Sequence, residues 1–112
     1  MAQNFRRYTL NNVGTVAADI PDGSDFDSYD TIVGIHLANI TSNQILVDVY
    51  INDDSGNDIY LIKEAPLPAG SALQVLDGGA KVVVKSNDRL WVKSSAAASL
   101  DVWVSAVDDI SL

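Results

Sequence analysis

The chain has 112 residues with no Cys, one His and two Trp, and its 7 Lys and Arg against 15 Asp and Glu give a formal net charge of −8. That length suits one domain with its own core, 47% hydrophobic residues is too many for a disordered acidic tail, and the lack of Cys excludes disulfides, thiolate metal sites and Cys nucleophiles. No apolar run approaches the ~20 residues of a membrane-spanning helix, and Met1-Ala-Gln-Asn-Phe-Arg-Arg lacks the apolar stretch of a signal peptide.

In chain order, Phe5 to Leu10 predicts a strand, or part of an extended N-terminal arm over residues 1–12, and Gly14 to Ile20 predicts another. Pro21 to Asp30 is a loop. Thr31 to Leu37 alternates with a period of two, so that Val33, Ile35 and Leu37 share a face. Ile45 to Ile51 places Ile45, Val47, Val49 and Ile51 on one side, with Asp48 and Tyr50 on the other. Asn52-Asp-Asp-Ser-Gly-Asn is a turn leading into a strand from Asp58 to Lys63. Glu64-Ala-Pro-Leu-Pro-Ala-Gly then breaks the ladder, because neither Pro can donate a hydrogen bond. Ala72 to Leu76 is a strand, and so is Lys81 to Lys85 with Val82 and Val84 inward. Arg89 to Lys93 and Leu100 to Val107 complete the set.

The acids agree with these elements. Fourteen are Asp and only Glu64 is Glu; Asp favours turns and caps, where its short side chain reaches backbone N–H groups. Eight or nine short strands at close spacing predict an all-β fold, a single-domain antiparallel β-sandwich over residues 1–112, of which the jelly roll is one form.

Two hairpin registers follow from the pairing of side chains. Centring the last hairpin on Ala97 sets Trp91 opposite Trp103, Lys93 opposite Asp101 and Val92 opposite Val102. Centring an earlier one on Ser55 sets Tyr50 opposite Tyr60 and Val49 opposite Leu61. Cross-strand pairs of this kind contribute about 0.2–1 kcal/mol each. Both registers put Trp91, Trp103, Tyr50 and Tyr60 out of phase with the aliphatic side chains of their strands. Such a face is either a contact surface or is covered by the chain's own N-terminal segment or Pro-rich loop.

Charge narrows the partners. After Arg6 and Arg7 no Lys or Arg occurs before Lys63, while nine Asp fall between. That distribution repels phosphate backbones and anionic membrane surfaces, so neither nucleic acid nor membrane is an expected partner. Catalysis has little to work with: His36 lies inside a predicted strand, without the nucleophile-elbow sequence of a Ser-His-Asp site. Asp22, Asp25, Asp27 and Asp30 are oxygen donors close enough in sequence to be candidate Ca²⁺ ligands. They lack the Gly and closing Glu of an EF-hand loop, and solvated turn aspartates are the plainer reading. No cofactor is expected.

Several segments also carry a resemblance. Met1-Ala-Gln-Asn-Phe-Arg-Arg-Tyr, Ser28-Tyr-Asp-Thr-Ile-Val-Gly-Ile, Val47-Asp-Val-Tyr-Ile, Ala65-Pro-Leu-Pro-Ala-Gly-Ser-Ala-Leu, Asp77-Gly-Gly-Ala-Lys-Val-Val-Val and Asp88-Arg-Leu-Trp-Val resemble small structural proteins of tailed bacteriophages, nearest to those of marine phages of cyanobacteria. The resemblance covers nearly the whole chain, through framework residues of a β-sandwich. It implies a virion component: a capsid decoration (cement) protein, or alternatively a neck, tail or baseplate accessory. It further implies a homotrimer whose N-terminal arm touches a neighbouring protein such as the major capsid protein.

On that expectation Arg6 and Arg7 would pair with carboxylates of the partner, and removing residues 1–8 would leave a folded body that no longer docks. The edge-strand reading of the same segment makes no such prediction. A carbohydrate- or receptor-binding module, with Trp91 and Trp103 stacked on sugar rings, is the rival from another class. The expected interface residues are Trp91, Trp103, Tyr50, Tyr60, Arg6 and Arg7.

Overall fold

The structure, a computed structural model, describes residues 4–20, 30–53, 55–76, 82–84 and 88–108. These form nine strands: β1 (Asn4–Val13), β2 (Ala18–Ile20), β3 (Asp30–Asn39), β4 (Ile45–Asn52), β5 (Asp58–Leu67), β6 (Ala72–Leu76), β7 (Val82–Val84), β8 (Arg89–Ser94) and β9 (Leu100–Asp108). One sheet has the order β1-β9-β3-β6, with β7 on β3 as well, and the other has the order β2-β8-β4-β5. Every pairing is antiparallel. The protein is an all-β sandwich, as the alternation predicts.

Alternation places the core. Ile45, Val47, Val49 and Ile51 of β4, Leu90 and Val92 of β8, and Leu100, Val102 and Val104 of β9 are buried between the sheets with Ile35 and Leu37 of β3. Each buried aliphatic contributes about 1.5–3 kcal/mol. A one-residue slip of β4 would turn four of them to solvent, a loss of roughly 6 kcal/mol or more, so the register is strongly fixed. Val84 is inward and Val83 outward on β7, as expected.

Four expectations need correction. On β3 the register shifts between Ile32 and Gly34, so Val33 is an extra residue, and Ile32 rather than Val33 joins Ile35 and Leu37 in the core. The Pro-rich segment does not end its ladder: β5 continues to Leu67, with Pro66 opposite Leu46. Pro is tolerated there because, among the described strands, β5 is an edge strand whose other side has no ladder to supply. The irregularity falls instead at Lys63–Glu64, where two residues face Asp48 alone. Glu64 has φ 50° and its N–H donates to Asp48 Oδ1 at 2.5 Å, so a side chain satisfies a backbone group that the ladder has lost.

The third correction concerns the N-terminal segment. Residues 4–13 are not a free arm but strand β1, paired with β9 from Asn4↔Asp108 to Val13↔Leu100. Cutting residues 1–8 would strip part of a sheet edge rather than release a tether. Fourth, β8 and β9 are not a hairpin, because they belong to different sheets. The backbone donors that a hairpin turn would use internally go elsewhere: Ser94 N–H to Gly14 O at 3.0 Å, Ser95 N–H to Leu46 O at 2.9 Å, and Ser99 N–H to Val13 O at 3.0 Å. The buried hydroxyls of Ser94 and Ser99 bond to one another, and that of Ser99 also donates to Ala96 O at 2.8 Å. Gly14 permits this arch to approach, since a Cβ there would lie 3.3 Å from Ala98 N. Ala98 itself sits at φ 47°.

One buried polar side chain ties the sheets together at the end of β3. Asn39 is 3% exposed. Its Nδ2 donates to the carbonyls of Asn43, Leu67 and Pro68 at 2.8, 3.0 and 3.2 Å. Its Oδ1 accepts from the N–H and hydroxyl of Thr41 at 2.9 and 2.8 Å. The side chain thus joins β3, the turn into β4 and the end of β5.

Candidate functional site

The out-of-phase aromatics form a row across the outer face of the four-stranded sheet. Tyr60 on β5 is opposite Tyr50 on β4, Tyr50 is opposite Trp91 on β8, and Trp91 is opposite Asp19 on β2. The expected Tyr50–Tyr60 register is therefore present, although an extra residue, Leu61, leaves Val49 facing Ile62 instead. The Tyr50 and Tyr60 ring centroids are 4.9 Å apart and tilted by 38°. Tyr50 and Trp91 are stacked at 6.5 Å and 13°. Lys63 Nζ lies 4.5 Å from the Tyr60 ring centre, a cation–π contact. Tyr50 and Trp91 are half-buried by these neighbours, and Tyr60 is 42% exposed.

Charges of both signs surround the row. Arg89 donates to Asp19 Oδ2 at 3.2 Å, Asp48 and Lys93 are opposite one another, and Asn52 Nδ2 donates to Asp58 Oδ1 at 2.8 Å. The Tyr50 phenol is held above its ordinary ionisation range, first by burial and then by the nearby Asp58, Tyr60 and Asp48. Folding therefore retains this proton more strongly than the unfolded chain does. The contribution to stability is complete below pH about 10 and is lost as the pH rises beyond it. Tyr50→Phe should remove a late-ionising phenol from an alkaline absorbance titration and flatten the fall of stability above pH about 10. If the phenol that disappears instead titrates with the other tyrosines, the row does not shield Tyr50.

Trp103 lies elsewhere. On the outer face of the five-stranded sheet it is opposite Thr9 on β1 and His36 on β3, and His36 is opposite Gln74 on β6. The two indoles stand on opposite outer faces of the sandwich, and the expected Trp91–Trp103 and Lys93–Asp101 pairs do not form. Neither ring joins the aliphatic core, and Trp103 is 48% exposed. Arg7, exposed on β1, places its guanidinium 5.2 Å from the Trp103 ring centre. Arg6 occupies the neighbouring position, opposite Ala106. The structure thus brings Tyr50, Tyr60 and Trp91 together, and separately Arg7 and Trp103.

No family model, no curated protein and no solved structure matches the chain.

Of the candidate Ca²⁺ ligands, Asp22, Asp25 and Asp27 lie outside the described residues, and Asp30 is placed by its backbone alone, opposite Val84. Among the described residues no three His, Asp or Glu side chains gather into a metal site. Sequence reasoning missed His36–Gln74 and the bulge at Asn11–Asn12, which shape the surroundings of Trp103. The only sequence signal for the bulge is the Asn-Asn pair, a residue type that tolerates positive φ.

Proposed function

We propose that this protein is a non-enzymatic structural component of a phage virion, a capsid decoration protein that self-associates and binds the particle surface. The observation that carries this reading is the Tyr60–Tyr50–Trp91 row, set outside the aliphatic core and ringed by charges of both signs. Stable interfaces have this anatomy: aromatic residues at the centre and a polar rim. Strands of 3, 6, 8 and 10 residues set about 4.8 Å apart present a face of roughly 400 Å², below the ~800 Å² that a standard interface takes from each partner. Such a face suits a subunit held by several modest contacts on a repeating particle, where linked contacts reinforce one another.

The resemblance to phage structural proteins supports the virion setting and tilts the assembly toward a trimer beside a major capsid protein. Pairing from the outside of the chain inward (β4 with β5, β3 with β6, β2 with β8, β1 with β9) supports the jelly-roll form of the sandwich. The decisive experiment combines solution mass with electron microscopy of particles incubated with the purified chain. We expect an oligomer and added density at regular surface positions. A monomer at every concentration that leaves particles bare would overturn the reading.

A further inference from the structure

Over Trp103 the outer face of the five-stranded sheet is hollowed into an open depression of about 550 Å³, lined among others by Thr9, Asn11, His36, Ala38 and Asp101. That volume is within the range of small-molecule sites. Its shape comes from a bulge. Between Leu10↔Val102 and Val13↔Leu100, β1 carries Asn11 and Asn12 against Asp101 alone. Asn12 has φ 55°, and its N–H donates to Asp101 Oδ1 at 3.1 Å, which holds the carboxylate in place. A bulge bends its strand and re-aims the side chains beside it. Across the sheet from Asp101 come Ala38 and then Ala72, two small residues that leave a low floor next to the indole.

Among the described residues, a cation braces one side of the indole. Arg7 packs on it from the level of Ser105, whereas the depression lies toward Asp101, on the other side along β9. His36 adds a ring nitrogen to the lining. Gln74 Nε2 lies 2.8 Å from His36 Nδ1; with the amide nitrogen donating, Nδ1 accepts and a neutral ring carries its proton on Nε2. The lining then offers the His36 Nε2–H donor, the Asp101 acceptor, and the Asn11 amide and Thr9 hydroxyl, which do both, beside an aromatic face.

We propose that this depression binds a neutral saccharide, one pyranose ring stacking on Trp103 while its hydroxyls bond to the surrounding side chains. A pyranose has an apolar C–H face and a rim of groups that each donate and accept, which matches this lining. Asp101 in the depression and the net charge of −8 disfavour phosphates and acidic sugars. An open site of this size holds one ring with an affinity on the order of millimolar. Trp103 then has a task distinct from that of Trp91 on the opposite face.

The test is NMR titration of the full chain with neutral mono- and disaccharides: glucose, galactose, mannose, N-acetylglucosamine, cellobiose and maltose. At least one should shift the Trp103 indole N–H saturably while leaving that of Trp91 in place. Trp103→Ala should abolish binding, His36→Ala should weaken it roughly three- to tenfold by removing one hydrogen bond, and Trp91→Ala should leave it intact. The proposal is overturned if no sugar in this panel moves Trp103 at tens of millimolar, or if binding survives Trp103→Ala. It is overturned equally if protein concentration alone moves the Trp103 signal, since the occupant would then be a second copy. Solution mass reports separately on self-association, so either reading can fail without the other.

Discussion

Asn39→Ala should lower the unfolding free energy by roughly 3 kcal/mol, from the loss of several bonds worth about 1 kcal/mol each and the stranding of buried carbonyls. The Leu67 carbonyl is the critical acceptor, because its bond from Asn39 is fully buried, whereas water can reach the carbonyls of Asn43 and Pro68 in part. Against a typical total stability of 5–15 kcal/mol, a loss of this size shifts the melting temperature downward by on the order of 10 °C. Asn39→Asp should be as severe. It keeps an acceptor for Thr41 but turns a second carboxylate oxygen toward three carbonyl oxygens. Thr41→Val removes hydroxyl bonds at a more exposed position and should cost about 1 kcal/mol. Thermal and chemical denaturation of the three variants checks the order. A loss below 1 kcal/mol for Asn39→Ala would show that the tie between the sheets is dispensable.

Trp91→Ala should have the larger effect on assembly. Trp91 closes the stacked row on Tyr50, and aromatic residues at the centre of an interface commonly contribute 2 kcal/mol or more, about 30-fold in dissociation constant. The variant should remain folded, since Leu90 and Val92 rather than Trp91 carry the core of β8, and it should run as a monomer where the wild type does not. Trp91→Phe should fall between the two. Trp103→Ala, on the opposite face, should leave the mass unchanged. Equal masses for Trp91→Ala and wild type in an oligomeric preparation would move the contact surface off this sheet.

The strands were legible because a period of two in Ile45–Ile51 and Arg89–Lys93 reports directly which side chains face inward. The Tyr50–Tyr60 register was legible because a short turn leaves few ways to close. The position of Trp91 relative to Trp103 was not. Alternation assigns a face to each side chain but does not say which sheet a strand joins, and the Ser94–Ser99 segment is short enough for either a hairpin or an arch. What decides is where the N–H groups of Ser94, Ser95 and Ser99 find acceptors, and Gly14, Leu46 and Val13 are distant in the sequence. Val33, Leu61 and the Asn11–Asn12 pair were misread or unread for a related reason. A bulge adds one residue without altering composition, so only the partner strand reveals it.

The outside-in pairing has a consequence for how fast the native state can be reached. Among the described strands only β4 and β5 are neighbours both in sequence and in a sheet, so only one hairpin can form by local search. Each later ribbon must close a longer loop, ending with Asn4 opposite Asp108. Chains dominated by such remote pairings fold on the order of milliseconds to seconds, orders of magnitude more slowly than helical bundles of equal stability. The β4–β5 ribbon is the natural nucleus, and the β1–β9 ribbon is the last to zip.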